Sequence, residues 1–436
     1  MFSNSKSRSG KNTMKAKKRP QYPSLFSCCR PMDESAGGLG NSRFRERDFP
    51  PRYAFQFSLR QTLFGEIACA IDTKSNRRVA VKVSYKDRKF LPGGEDPRAE
   101  VRVFRTLESR IFRSESARSL ASHLSYLSIA SKTSVESKYS CELRKDSRDN
   151  EYEESRGNST YTSVDMRNSN DTRSESGENL NDQSTSDSWH PNVIRFMHSQ
   201  EDASKILTVL EFAQRGELLD LITGSQNGRL KENTAASIIS QVAKGLQFCH
   251  ANGVAHLDVS PENILLTRKW EAKLCDFGLA QLMDPSGIVS RSHSTGKANY
   301  MAPEAYATKS YQIRRSKSSD SMNSIQSPGK FAGAPADVFS LGIVMFLSVT
   351  GVLPYQYPQA TDRRFVLVTG GKQNLTGLLK RWGIKISEDA IDLLARMLME
   401  DPSERATMRE VLSHPWIVRC VNIRNETEKE NLREAG

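Results

Sequence analysis

Apolar residues begin to recur with a period near two at Tyr53, after a stretch (1–48) with no visible periodicity. Residues 59–71 and 78–83 are predicted as strands, the second ending in Val79-Ala80-Val81-Lys82. The period then changes. Residues 97–107 predict a helix, with Pro97 near its start and Val101, Phe104 and Leu107 at helical spacing. In that frame Glu100 lies on the side of Phe104, one turn earlier. A strand Lys that becomes buried needs a nearby carboxylate, and Glu100 is the candidate partner of Lys82. Residues 108–187 are rich in Ser, Arg, Glu and Asn without periodicity, and a disordered insertion is predicted there. Order resumes at His190-Pro191-Asn192-Val193-Ile194-Arg195-Phe196, and 206–212 predict another strand. From 213 to 418 the pattern is mainly helical. Gly216-Glu217-Leu218-Leu219-Asp220 opens this half, a long helix is predicted over 235–251, and an apolar one over 336–349. The apolar helix is shorter than a membrane span, and Asp337 and Ser340 suit a buried core helix better. Residues 312–329 form a second irregular insertion. The domain closes at Ser413-His414-Pro415-Trp416-Ile417, leaving 419–436 as a charged tail.

Composition narrows the class. The mean hydropathy is −0.57 and the net charge +12, with no apolar run as long as a membrane span and no signal-peptide core. The seven cysteines show neither a disulfide framework nor paired C-x-x-C spacing, so a reduced, cytoplasmic setting is expected. Lys6, Arg8, Lys11, Lys15, Lys17, Lys18 and Arg19 precede the first acid, Asp33. Three readings of this basic arm stay open: a solvated tail, a nucleic-acid or nuclear-import patch, and an anchor to anionic membrane. Acylation at Cys28 and Cys29 would strengthen the last, whereas Phe at position 2 excludes N-myristoylation.

The candidate chemistry sits in two neighbouring stretches. His256-Leu257-Asp258-Val259-Ser260-Pro261-Glu262-Asn263 is predicted to end a helix and lead into the strand-like Ile264-Leu265-Leu266. Cys275-Asp276-Phe277-Gly278 follows about a dozen residues later. An acid (Asp258), an amide (Asn263) and a second acid (Asp276) supply a base and two metal ligands, the parts that phosphoryl transfer from Mg-ATP requires. H-x-D alone is a weak signal; H-x-D-x-x-x-x-N followed at this distance by D-F-G is strong.

These motifs resemble the eukaryotic protein kinases over about 53–418, apart from the two insertions. The closest likeness is to the calcium/calmodulin-dependent-like Ser/Thr group, through Asp401-Pro402-Ser403-Glu404-Arg405-Ala406-Thr407 and His414-Pro415-Trp416. No calmodulin-target helix is evident after Trp416. The resemblance implies an α+β fold of two lobes, a small sheet-based one (53–212) and a large helical one (213–418), with ATP and Mg2+ between them. It implies that Lys82 holds phosphates and Glu100 orients it, that Asp258 accepts the substrate hydroxyl proton, and that Asn263 and Asp276 hold the metal. Ile67, Ala80 and Leu265 would sandwich adenine, with Leu210 behind it and Glu211 to Ala213 as the hinge. Phe104, Phe196, His256 and Phe277 would stack between the lobes, and Glu304 would pair with Arg405. Taken singly, each position has an ordinary structural alternative.

The sequence departs from the family in three places. Of the phosphate-loop glycines only Gly65 is present, with Arg60 and Thr62 where the first two would stand; a stiffer loop and weaker ATP binding are expected. Leu257 replaces the Arg that receives an activation-segment phosphate, so activity is expected to depend little on that phosphorylation. Ser260 replaces a Lys that touches the transferred phosphate, while Lys297 stands where the activation segment usually has Thr. The two partners look exchanged, with Lys297 reaching back beside Asp258 and Ser260 supplying the hydroxyl. The alternative is two unrelated substitutions in a weakened enzyme. Glu217 and Glu262 match acids that bind Arg upstream of a phosphorylated Ser/Thr in protein substrates. Arg-x-x-Ser recurs at Arg113/Ser116, Arg173/Ser176, Arg291/Ser294 and Arg315/Ser318, which suggests autophosphorylation. The runner-up is a pseudokinase that binds nucleotide or partners with little transfer. A nucleic-acid binder built on the basic arm lacks a recognition fold.

Overall fold

A computed structural model describes residues 49–62, 65–86, 97–111, 189–291, 296–306 and 329–422. The chain divides into two compact units: Met1–Phe104 with His190–Gly436, and Arg105–Trp189. Of the second unit only 105–111, the end of a helix, and Trp189 are described.

In the first unit the period-two segments form a five-stranded antiparallel sheet, ordered β1-β2-β3-β5-β4. The strands are β1 (Tyr53–Gln61), β2 (Gly65–Asp72), β3 (Arg77–Tyr85), β4 (Phe196–Glu201) and β5 (Lys205–Glu211), with helix α1 (97–111) between β3 and β4. Alternation sorts the sheet into two faces. Ala68, Ala70, Val79, Val81, Val83, Leu207 and Val209 share a core with Phe49 and Tyr53. The register sets Ile67 opposite Lys82 and Ala80 opposite Cys69 and Leu210, so these occupy the other face.

The remaining elements are α2 (Leu218–Gly224), α3 (Glu232–Ala251), β6 (Val254–Ala255), β7 (Ile264–Leu266), β8 (Ala272–Leu274), β9 (Gln281–Leu282), β10 (Ile288–Arg291), β11 (Gly329–Ala332), α4 (Gly333–Thr350), α5 (Arg363–Thr369), α6 (Lys372–Arg381), α7 (Glu388–Met397), α8 (Met408–Ser413) and α9 (415–422). The result is an α+β fold of two lobes. Helix α4 packs against α3 and α7 and is buried almost throughout. It is the one described helix long and apolar enough to cross a membrane, and its burial inside the protein makes it a core helix. At its N-terminal end Arg405 donates to Glu304 at 2.7 and 3.1 Å and to three backbone carbonyls, and lies over the Phe339 ring. The expected Glu304–Arg405 pair is therefore formed.

Several predicted boundaries shift, each for a local reason. The single strand over 59–71 is two, β1 and β2, separated by a turn in which the Thr62 N–H donates to Gly65 O at 2.9 Å. Strand β4 was not anticipated: as an edge strand of sequence FMHSQE it buries only Phe196 and carries no apolar alternation. Helix α1 continues through 111, so the insertion cannot begin at 108. Gly329 belongs to β11 rather than to the 312–329 insertion, and α9 runs past 418 into the predicted tail. The stretch from His256 does not end a helix: α3 stops at Ala251, Gly253 turns the chain with φ 65°, and β6 intervenes. The arm 1–48 and most of both insertions lie outside the described residues.

Gly65 lies tight against the β3 backbone at Val83. A Cβ there would lie 1.7 Å from Val83 O, which no side chain tolerates. Gly65→Ala should therefore destabilise the small lobe by about 3 kcal/mol, read as a lower thermal unfolding midpoint; an unchanged midpoint would contradict this packing.

Candidate active site

Lys82 is buried on β3 and reaches α1 across the sheet. Its Nζ donates to Glu100 Oε2 at 2.8 Å and to Asp276 Oδ1 at 3.1 Å. One ammonium thus joins a strand, a helix and the loop after β8. Burial is the largest influence on both carboxyls. At Asp276 the pull of Lys82 outweighs it and holds the acid below its ordinary range; at Glu100 burial prevails and the acid lies above it. A charged Lys with an ionised Asp276 fits metal and phosphate chemistry.

The catalytic loop is held from beneath by Asp337 of α4, which is wholly buried. Its Oδ2 accepts from the His256 N–H at 2.8 Å and hydrogen-bonds His250 Nε2 at 2.8 Å; its Oδ1 accepts from the Leu257 N–H at 2.7 Å. Leu257 and Asp276 both adopt φ 61°, an unfavourable conformation for a side-chain-bearing residue that the surrounding bonds must maintain. His256 Nε2 donates to Cys275 O at 3.0 Å, which leaves Nδ1 to accept from the Asp258 N–H at 3.3 Å. Asn263 Nδ2 donates to Asp258 O at 2.8 Å and to Asp258 Oδ2 at 2.7 Å. Phe196, Phe104, Phe277 and His256 form one continuous column in that order, with successive ring centroids 5.2, 5.0 and 4.8 Å apart.

Lys297 comes back over this loop. Its Nζ donates to Ser260 Oγ at 2.7 Å and stands 3.8 Å from both Asp258 Oδ2 and Glu262 Oε2. The two residues that looked exchanged in the sequence are in contact. Burial is the main cause of the raised Asp258 carboxyl pKa, opposed by Lys297 and reinforced by Asp276.

The residues expected around adenine share one property: each is half-buried rather than fully buried. This holds for Ile67 in β2, Ala80 in β3, Leu210 in β5 and Leu265 in β7. Glu211 at the hinge pairs with Lys273 of β8 at 3.0 Å, and Ala213 is buried two residues on. Partly open apolar side chains suit a flat heterocycle. The donor set suits a hard divalent cation: Asn263 is oriented through its Nδ2, which leaves its amide oxygen free of those two bonds, and Asp276 adds a carboxylate. Among the described residues no cluster of three or more His, Cys, Asp and Glu forms a closed metal cage. A Mg2+ held by one or two protein oxygens together with phosphate needs none.

Glu217 and Glu262 are both already engaged by the chain's own cations, Arg60 at 4.0 Å and Lys297 at 3.8 Å respectively. Burial pushes the Glu217 carboxyl up to about 8, against the pull of Arg60. Arg291 is buried in β10, so the Arg291/Ser294 motif is not available to a basic-residue reader in this conformation. Ser294 and the other three Arg-x-x-Ser motifs lie outside the described residues. Sequence reasoning assigned no active-site role to Asp337, Lys273 or Arg291. A lone Asp in an apolar helix was a signal for the first; neither other residue stands out by pattern.

A family model described as "Protein kinase domain" matches residues 163–417, more than half of the chain. The chain belongs to the protein kinase family. Similar proteins include the serine/threonine protein kinase OSK3 of Oryza sativa subsp. indica, 34% identical over 52% of this chain and 38% of its own length. The SNF1-related protein kinase catalytic subunit alpha KIN12 of Arabidopsis thaliana is 30% identical over 52% of this chain and 39% of its own. The probable serine/threonine-protein kinase KCC4 of Saccharomyces cerevisiae is 30% identical over 56% of this chain and 21% of its own. The kinase chain thus spans about two fifths or less of these relatives. The family match starts after β1–β3 and α1, so Lys82 and Glu100 come to the site through the fold rather than through the match. Membership of the family implies use of ATP with a divalent metal.

A pH dependence follows from Glu217. Its folded-state pKa lies above the unfolded value, so folding favours its neutral form, and that stability is lost as pH rises through about 8. Glu217→Gln should match the wild-type unfolding midpoint at pH 5 and exceed it at pH 8.5; a pH-independent difference would contradict the assignment.

Proposed function

We propose that this chain is an active protein serine/threonine kinase that transfers the γ-phosphoryl group of Mg-ATP to Ser or Thr hydroxyls of proteins. The observation that carries the reading is the joint arrangement of Lys82, Glu100 and Asp276 with Asp258 one loop away. A pseudokinase would not need this set assembled with a continuous column behind it, so it is the less favoured reading.

When bound, Mg-ATP supplies the group transferred and part of the charge neutralisation. Lys82 binds the α- and β-phosphates and Glu100 orients it, while Asn263 and Asp276 provide metal-binding oxygens. Asp258, held by Asn263 and raised by burial, takes the proton from the substrate hydroxyl. Lys297 faces the same oxygen of Asp258 and offers its charge to the transferred phosphate, with Ser260 fixing its position. Ile67, Ala80, Leu210 and Leu265 exclude water around the base, with Glu211 to Ala213 at its edge; Gly65 alone admits close backbone approach to phosphate.

Protein substrates with an upstream Arg would have to displace Arg60 or Lys297 from Glu217 or Glu262. Selection for basic peptides is therefore weaker than in kinases whose acids are unpaired. From composition alone, we also propose a cytoplasmic protein whose basic arm, with Cys28 and Cys29, contacts anionic membrane or nucleic acid. Salt-dependent binding to anionic vesicles, compared with binding to DNA and RNA, tests the arm.

Transfer of ATP γ-phosphate to a Ser peptide should fall by about 10³-fold or more in Asp258→Asn; equal rates in the two proteins would overturn the enzyme reading. Lys297→Ala should lose about 10²-fold or more in kcat, and Lys297→Thr combined with Ser260→Lys should restore it. Full activity in Lys297→Ala would remove that residue from the machinery.

A further inference from the structure

The activation segment leaves the Asp276 loop and is tied down twice before Arg291. First, β9 pairs with β6, Val254 opposite Leu282 and Ala255 opposite Gln281, and the Met283 N–H donates to Gly253 O at 2.9 Å. The chain then turns on Asp284, whose Oδ1 accepts from the Ser286 N–H, the Ser286 hydroxyl and the Ile288 N–H. Second, β10 pairs over four residues with β11, from Ile288 opposite Ala332 to Arg291 opposite Gly329. Strand β11 runs directly into α4, and the Gly333 N–H donates to Gly287 O at 3.1 Å. The segment is thereby stitched to the core helix that also carries Asp337.

Within β10 the inward residues are Val289 and Arg291, and Ser290 faces out. A buried valine is ordinary packing. A buried arginine is not, because its charge cannot be removed and its desolvation is costly unless hydrogen bonds and opposing charge compensate. Arg291 is 4% exposed. Its Nη2 donates to Leu279 O at 2.7 Å, three residues beyond Asp276. Asp258 and Asp337 are the carboxylates that act on it electrostatically, while burial works against its charge. Leu257, between those two acids in the catalytic-loop network, brings no cation of its own.

We propose that Arg291 is a positioning residue that supplies, from the activation segment itself, the cation missing at Leu257, and so holds the Asp276 loop and the segment in place without a phosphate. This rests on the kinase reading above. The β10–β11 pairing brings the guanidinium inward, Leu279 O anchors it, and Asp258 and Asp337 favour its charged form. The segment carries its own counter-charge to the catalytic loop. Phosphorylation of the segment is then no condition of activity.

The test uses the full chain. Wild type stripped of phosphate by a phosphatase, verified by mass, should keep its kcat to within about two-fold. Arg291→Met should lower kcat by about ten- to a hundred-fold with the KM for ATP little changed. Arg291→Lys, which retains the charge, should recover part of the loss. Amide hydrogen exchange over 276–291 should quicken in Arg291→Met while exchange in α3 and α4 stays at wild-type rates, which a general loss of stability would not produce. Wild-type kcat and unchanged exchange in Arg291→Met would overturn the proposal, as would a phosphatase-treated wild type falling as far as that variant. If wild type shows no transfer at all, the kinase reading fails, and exchange in Arg291→Met still decides whether the clamp exists.

Discussion

Asp337 is a carboxylate with no access to water, set inside an apolar helix, and its two oxygens are consumed by two consecutive backbone N–H groups and a histidine. An acid so placed is stable only while its partners stay aligned, because breaking one bond leaves a buried charge exposed to nothing that can compensate it. The catalytic loop therefore inherits the position of α4. Leu257 is held at a positive φ by the same bond, and Asp258, the next residue, is presented by a backbone with little freedom to move. From this anchor the column of His256, Phe277, Phe104 and Phe196 carries the geometry into the small lobe, where Lys82 closes the circuit back to Asp276.

Cations in this site are arranged differently from the family pattern that the motifs suggest. Ser260 gives up the charge beside the catalytic acid and Lys297 returns it from the activation segment. Leu257 gives up another, and a buried Arg291 stands in the same segment within electrostatic reach of the same acids. Arg60, where a glycine would ordinarily leave the phosphate loop bare, faces Glu217. Lys82 and Lys297 thus bring cations of the chain itself to the acids of the site. Charge balance around a low-dielectric pocket is a requirement on the sum, and it can be met from several backbone positions if the fold brings them together.

Most of the architecture was legible because it rests on local pattern. The alternation around Val79 to Lys82, the helical spacing of Val101 and Phe104, and the spacing of Asp258, Asn263 and Asp276 each report a local conformation or a fixed chemical toolkit. Boundaries were less legible where polar residues take part in regular structure for tertiary reasons. The edge strand Phe196–Glu201 is polar because one side faces solvent, and the first turn of α3 is polar because it projects from the core. The basophilic expectation for Glu217 and Glu262 was drawn from residue type alone; whether an acid is vacant depends on what the rest of the chain places beside it.

By itself the sequence pointed to the candidate reacting groups, determined the two-lobed fold class and showed Ser at 260 and Lys at 297, since these depend on residue type and spacing along the chain. Only the tertiary structure decided which charges meet. Lys297 lies 37 residues from Ser260, and Lys82 lies 194 from Asp276. Neither contact follows from any period. Whether a cation is a solvated side chain or part of a site is set by distance and desolvation in three dimensions, and those exist only once the chain is folded.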